Sequence, residues 1–572
     1  MSKVAFGIDL GTSTSIVSYI ENERPVTIND PKSKSPIVPS EVGLAVRDRS
    51  LLVGSDVERG LPDSIIREAK RYMGTDFSYI IGADTLTPSQ VASLVLKKLK
   101  QNAEQVTGHE LTEAVITVPA YFDDVPRRAT EMAAHLAGIK VLRLISEPVA
   151  AAMAYGMDKL TDDATLLVFD FGGGTLDVTI IDMLAGILDV RATHGDKELG
   201  GKDIDQAFMD FVVSEAQALK PHPGTKYFEE LRKQVVSAKK ALSVDSSADV
   251  LLDIRDERSG ALIDIDISIT RKQFDSVVQP FVDRAVNCIS EALKKAGIDK
   301  SRVSRILLVG GTCYIPKVRE SVENYFALKA EPGVDPDLAV SLGAAISAGL
   351  KTGAVDSATS VIVQDAATYR IGTSIFNNIG GQNMLMFSEL MPANAKIPFV
   401  RTVRYSLMTT TQDEVEVDVL LDLSNKAVFP EDAVPTGAVG LLRDIPPSPT
   451  GEPWAIDVEI QYDENHIVRV QAKIVGLDKI LTLQLNRPDF VSTSGLADAQ
   501  LSTVDNLWES SPQAARNNAL ISRTEKFAAE NPKYAEKLEA MVSTLKRAIQ
   551  SDDEEAIRVA RIALAEYLAS IQ

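Results

Sequence analysis

Only two cysteines, Cys288 and Cys313, occur in 572 residues, and they form no CxxC pair, so neither a disulfide framework nor a thiolate metal site is indicated. The five histidines are scattered, and a reducing, cytoplasmic setting is the expectation. Basic charge is scarce. Sixty Lys and Arg face 80 Asp and Glu, a formal charge of -20, and the resulting repulsion from phosphate backbones and anionic bilayers makes nucleic acid and membrane surfaces poor partners. Long apolar runs are missing: stretches such as Val149 to Ala154 fall far short of the ~20 residues a spanning helix needs. Met1 to Phe6 leads straight into a strand pattern without an apolar signal core, so no export is expected. Neither GxxxxGK[ST] nor GxGxxG is present, which removes the P-loop and dinucleotide-binding routes to a phosphate.

What is present is ordinary globular material, 45% hydrophobic and 24% charged, in a chain long enough for about three or four domains. The most informative feature is an internal echo. Phe6-Gly7-Ile8-Asp9-Leu10-Gly11-Thr12 is repeated in spirit by Leu166-Leu167-Val168-Phe169-Asp170-Phe171-Gly172-Gly173-Gly174-Thr175, with Asp170 lying 161 residues after Asp9. Each copy is an apolar strand ending in Asp, one apolar residue, Gly and Thr, and the repeat implies two duplicated lobes. After each glycine turn comes a β-branched, period-two stretch, Ser15 to Ile20 and Leu176 to Ile181, so both turns are read as β-hairpins rather than helix starts.

Two such hairpins facing one another across a cleft supply backbone N–H groups for phosphate oxygens, while Asp9 and Asp170 can position Mg2+ through its retained waters. That arrangement suits a nucleoside triphosphate. Alternating strand and helix patterns between and after the hairpins, including Ala114 to Pro119 and Ile306 to Gly311, mark α/β lobes extending to about residue 355. From Gly353 to Thr373 the chain turns small and polar around Val361-Ile362-Val363, which marks a linker. Alternation in Glu414 to Val419, Ile456 to Ile460 and Val468 to Ala472 indicates a β-sandwich or barrel-like domain. The last 60 or so residues switch to helical period, with stripes Leu538, Met541, Val542, Leu545, Ile549 and Ile557, Ala560, Leu564, Leu568, Ile571, and with Ser551 and Glu554 as a capping box between them.

Gly7 to Thr12, Ile145-Ser146-Glu147-Pro148 with the Ala150 to Gly156 run, Phe169 to Asp177, and Leu308-Val309-Gly310-Gly311 together resemble the seventy-kilodalton heat-shock (DnaK-type) chaperones. The resemblance spans nearly the whole chain. It implies a multidomain protein: an actin-like α/β ATPase of two duplicated lobes over 1–355, a hydrophobic interdomain linker over 356–369, a peptide-binding β-sandwich over 370–490 and a short helical lid over 491–572. It implies ATP/ADP and Mg2+, with K+ as a further ion, and a cycle of ATP hydrolysis that controls the grip on extended hydrophobic segments of unfolded proteins. A J-domain co-chaperone and a nucleotide exchange factor are the implied partners.

Residue by residue, the resemblance makes Asp9 and Asp170 the magnesium-water shell and Lys70 the catalytic lysine. Glu147 becomes the carboxylate that couples nucleotide to the lobes, and Thr12 and Thr175 contact phosphate beside Gly11, Ser13, Gly172, Gly173 and Gly174. Asp177 is placed near the monovalent ion. Lys239, Lys240, Ser243, Gly310, Gly311, Thr312 and Tyr314 fall to the nucleoside side. Two positions depart from the family pattern: Tyr314 stands where an arginine usually packs on adenine, and Val236 replaces a usual glutamate. Pro119, Arg127 and Arg143 resemble the relay on the ATPase side; Val361, Ile362, Val363 and Asp365 resemble the docking linker. Ile379, Met408 and Val415 align with the arch and pocket for a peptide side chain. Read without that context, Lys70 is a solvated lysine on a helix, Glu147 a helix-start charge, and Val361 to Val363 the first strand of the β domain. A sugar or acetate kinase shares the duplicated hairpins but has no use for the 200-residue module after residue 355, and a nucleotide-binding scaffold without turnover has no use for Asp9, Lys70, Glu147, Asp170 and Thr175 together.

Overall fold

Both glycine turns close antiparallel hairpins. Phe6–Leu10 pairs with Thr14–Glu21 in a register that sets Leu10 opposite Ser15, so residues 11–13 form the turn. Ala164–Phe171 pairs with Leu176–Leu184 and sets Phe171 opposite Leu176 around residues 172–175. The computed structural model describes residues 4–122, 124–156, 163–184, 187–333, 335–355, 362–364, 367, 369–379, 382–393, 395–463, 468–484, 494–509, 520–521, 524, 527–528, 531–550 and 554–571.

The duplication extends beyond the hairpins. In the first lobe Glu113–Val118 lies parallel to the hairpin's first strand, and in the second Arg305–Val309 takes the same place. Each hairpin's second strand then pairs with a further antiparallel strand, Arg24–Thr27 or Ile187–Asp196. Two helices join the lobes. Glu147–Gly156 and Ala339–Thr352 are apolar nearly all round, as a helix buried on every side must be. They cross so closely that a Cβ on Gly343 would fall 1.7 Å from the Ala150 carbonyl oxygen, an approach only glycine permits. Their side chains form a core between the separate cores of the two lobes, drawing in Ile20 from the first and Val168 and Leu307 from the second.

Beyond the lobes, Ile362–Gln364 adds to the edge of the second lobe's sheet, parallel to Ile187–Asp196, with Leu188 opposite Val363. Val361 and Asp365 lie outside the described residues. Among the described residues the sandwich consists of two four-stranded sheets, and the strict in-and-out burial of Val468–Ile474 shows how alternation builds its core. It starts earlier than its first long strand: Ala367 and Tyr369, read as linker from the sequence, are buried in the sandwich core with Ile371. A segment of mixed small residues carries no periodicity that assigns it to one side or the other.

The helical region divides. Pro532–Gln550 and Glu554–Ile571 pack together through Leu538, Val542, Leu545, Leu564 and Leu568, as their stripes foretold; Ser551 and the side chains of Ile549 and Ile557 are outside the described residues. Ser494–Glu509, at the start of the expected lid, lies on the first lobe. Val504 and Leu507 join that lobe's core, and Lys97 on the helix Pro88–Thr107 meets Asp505 at 2.8 Å. No described helix is long and apolar enough to cross a membrane.

Candidate active site

The hairpin tips nearly touch. A Cβ on Gly173 would lie 2.1 Å from Ser13 Oγ, and one on Gly174 2.5 Å from Thr12 Cγ2. The second tip is pinned from behind, since the Gly201 and Lys202 N–H groups donate to the Gly172 and Gly173 carbonyls at 3.0 and 2.9 Å, and Thr312 Oγ1 donates to Gly172 at 2.9 Å. Between the tips opens a cleft of about 540 Å3 including its mouth. Asp9, Gly11, Thr12, Ser13, Lys70, Glu147, Asp170, Gly172 to Thr175, Gly310 and Gly311 all line it, from segments distant in sequence.

Lys70 is not the solvated helix lysine of its local sequence. It sits in the 3-10 turn Ala69–Tyr72, is 7% exposed and bonds Glu147 at the start of Glu147–Gly156. Around this one lining cation stand the carboxylates Asp9, Glu147 and Asp170. Burial above all, then the Glu147 charge, pushes Asp9 up to about 7 against the opposing pull of Lys70 and of Thr117, whose Oγ1 donates to Asp9 at 2.9 Å. Asp170 is raised well above the usual carboxylate range by burial, then by Glu147, Asp177 and Asp9, and Asp177 is raised by burial and Glu147. Such excess negative charge fits a cation. Among the described residues no three His, Cys, Asp or Glu side chains are grouped to hold a metal ion.

The nucleoside-side residues are less gathered. Lys239 is engaged with Asp205 at 2.6 Å, and Ser243 Oγ turns to the Lys239 carbonyl at 3.5 Å. Tyr314 is 42% exposed and donates its hydroxyl to Asp335 at 2.9 Å, and it does not line the cleft. Lys240 makes itself felt through Asp337, whose carboxyl is raised by burial and then by Asp335, with Lys240 pulling the other way. Asp177, on the second strand of the second hairpin opposite Asp170, is buried. Sequence reasoning missed Thr14, Val309, Pro336, Asp337 and Val340 in the lining. The Asp335-Pro336-Asp337 turn before an Ala-rich helix is the available signal for Asp337; Val309 and Val340 look like plain core until the two lobes are set against each other.

With this cleft, duplicated hairpins and a sandwich following, comparison with known proteins decides the family. The Hsp70 protein family model matches residues 5–571. The chain belongs to the Hsp70 family. A similar relative is the chaperone protein DnaK of Nitrosopumilus maritimus (strain SCM1), 36% identical over 490 residues that cover 84% of this chain and 74% of the relative. As an Hsp70 protein it is an ATP-dependent chaperone: it binds ATP and ADP, generally with Mg2+, hydrolyses ATP and binds unfolded polypeptide, working with co-chaperones as the family does.

The raised carboxylates give this Hsp70 cleft a testable pH signature. Asp9 holds its proton more tightly folded than unfolded, so its stabilising contribution is complete below the ordinary carboxylate pKa of ~3.9 and is lost as pH rises through about 7. The nucleotide-free protein is therefore expected to melt at a lower temperature at pH 8 than at pH 6, and Asp9→Asn should flatten that slope. Calorimetry showing the same slope in the variant would remove Asp9 as its source.

Proposed function

We propose that ATP turnover in this cleft, carried out by the residues named from the sequence, sets the peptide affinity of the sandwich through the linker strand. The observation that carries the reading is continuity. Ile362–Gln364, Ile187–Asp196, Leu176–Leu184 and Ala164–Phe171 are successive neighbours in one sheet, so the linker and the hairpin bearing Asp170 and Thr175 share a single hydrogen-bonded unit. Whatever shifts the hairpin is felt at the linker's docking edge.

In this reading Lys70 stabilises charge on the γ-phosphoryl oxygens and orients the attacking water, with Glu147 holding the ammonium in place. Thr12, Ser13 and Thr175 hydroxyls and the glycine-turn amides bind the phosphates. Asp9 and Asp170 hold Mg2+ through water, and the ion supplies charge neutralisation on the phosphates. Asp177 Oδ1, buried without a hydrogen-bond partner among the described residues, supports a monovalent ion such as K+ beside Thr175. Lys239, Lys240, Ser243, Thr312 and Tyr314 flank the nucleoside. Tyr314 is tied to Asp335, so stacking on the base requires that bond to yield.

Pro119, Arg127 and Arg143 form the relay on the first lobe's side. Arg127 donates from Nε to the Phe122 carbonyl at 2.9 Å, while its Nη1 and the Nε of Arg143 are buried without partners among the described residues, spare donors that a second arrangement would use. For peptide, the reading keeps Ile379, Met408 and Val415, which the described contacts do not gather: Met408 is 50% exposed, Val415 packs on the sandwich core, and the Ile379 side chain is outside the described residues. A division into ATPase lobes over 1–355, a linker from 356 that gives way to the sandwich at Ala367, a sandwich continuing to 490 and a helical region over 491–572 whose first helix packs on the first lobe, together with a J-domain partner, an exchange factor and a cytoplasmic setting, completes the proposal. Its test is single-turnover ATP hydrolysis with and without an extended, aliphatic-rich peptide. Acceleration of several-fold is expected, and an unchanged rate at saturating peptide would sink the coupling.

A further inference from the structure

Residues 67–71 carry Lys70, and three neighbouring side chains leave the first lobe to bond the second. Arg67 donates to both carboxylate oxygens of Glu229 at 3.0 and 2.9 Å, on the second-lobe helix Lys226–Ala241, while its Nε is held at 2.9 Å by Glu41 of its own lobe. Glu68 pairs with Lys202 at the start of the helix Gly201–Glu215. Arg71 reaches Asp203 at 3.0 Å and the Gly174 carbonyl. The Arg67 contact is bidentate onto a carboxylate only 6% exposed, the geometry that fixes orientation as well as distance.

The backbone between these contacts is not relaxed. Glu68 has φ of 62°, in the left-handed region, and a long side chain persists there only when its surroundings hold it. The turn that starts at the next residue aims Lys70 at Glu147. An opening of the lobes would break the Arg67 and Glu68 pairs together, which would free that residue to leave the left-handed region and release the turn.

We propose that Arg67 and Glu68 are positioning residues: by gripping Glu229 and Lys202 they make the placement of Lys70 conditional on lobe closure, so that a closed cleft and a competent lysine are one state. The inference rests on Lys70 as the hydrolysis lysine. Two consequences follow physically. The Glu68–Lys202 pair is partly exposed and weakens as added salt shortens the Debye length, whereas the Lys70–Glu147 pair is buried and does not. Losing the grip also removes bonds that keep nucleotide enclosed.

The test uses the full chain. Single-turnover hydrolysis and release of a fluorescent ADP analogue are measured at low and high potassium chloride for wild type, Arg67→Met, Lys202→Glu, the swap Glu68→Lys with Lys202→Glu, and Lys70→Ala. Arg67→Met and Lys202→Glu are expected to slow hydrolysis roughly tenfold, within the ~100-fold that a misplaced catalytic group can cost, and to speed ADP release. Added salt should slow the wild type but not Lys202→Glu, in which it screens the repulsion between the two facing carboxylates, and the swap should restore wild-type rates. Wild-type rates in both single variants, alongside a dead Lys70→Ala, would overturn the latch and leave the Lys70 assignment standing. Slow rates that the swap fails to rescue would reduce the pairs to general packing and overturn it too. An active Lys70→Ala would remove the premise itself.

Discussion

Lys70→Ala is expected to lower single-turnover ATP hydrolysis by roughly 100- to 1,000-fold while ATP affinity stays within tenfold of wild type. A preorganised ammonium in a buried cleft acts mainly on charge that develops as the γ-phosphoryl group transfers, so its loss appears in the rate before it appears in binding. Among the described residues Lys70 is the one lysine lining a cleft that also holds Asp9, Glu147 and Asp170. Its removal leaves Glu147 buried without its cation, and breaking a buried pair costs ~3–5 kcal/mol. Melting temperature is therefore followed alongside catalysis, and the double variant Lys70→Ala with Glu147→Gln removes the stranded charge. If that double variant is stable, binds ATP and still does not hydrolyse it, the loss belongs to the ammonium. Parallel loss of binding and turnover would remove Lys70 from the transition state and make it a ground-state ligand.

Val363→Pro should abolish the effect of ATP on peptide release while each domain keeps its own binding activity. Val363 is the middle residue of a three-residue edge strand opposite Leu188, and proline there has no N–H for a ladder and fits strand interiors poorly. The sandwich also meets the second lobe through Lys396, which bonds Asp189 and donates to the Val190 carbonyl at 3.0 Å, both on the strand that receives the linker. Undocking the strand thus removes the neighbouring contact's support as well. In wild type, ATP is expected to accelerate peptide release on the order of tenfold, and peptide must weaken ATP by the same factor that ATP weakens peptide. Fluorescence anisotropy of a bound peptide before and after ATP addition reads both proteins. Equal acceleration in the variant would show that coupling bypasses the strand.

The sequence alone determined the duplicated hairpins, because an Asp and a glycine turn followed by β-branched alternation admit few backbone solutions, and it placed Asp9 and Asp170 at the strand ends that lead into those turns and the glycines and Thr175 on the turns themselves. It also marked the sandwich strands and the terminal helix stripes, where period two and period 3.6 express burial on one face. Three things needed the tertiary structure. Lys70 and Glu147 are 77 positions apart, and only lobe packing turns one apparently solvated lysine into a buried partner. Tyr314 bonds Asp335, a neighbour 21 positions away that local pattern does not reveal. The surface that covers Ser494–Glu509 also needed the fold: Val504 and Leu507 join the first lobe's core, and amphipathicity states that a helix must be covered and not by what. Periodicity and turn chemistry are local and survive in the sequence; the partner of a charge or an apolar face is a matter of which distant surfaces meet, and that is decided only when the chain is folded.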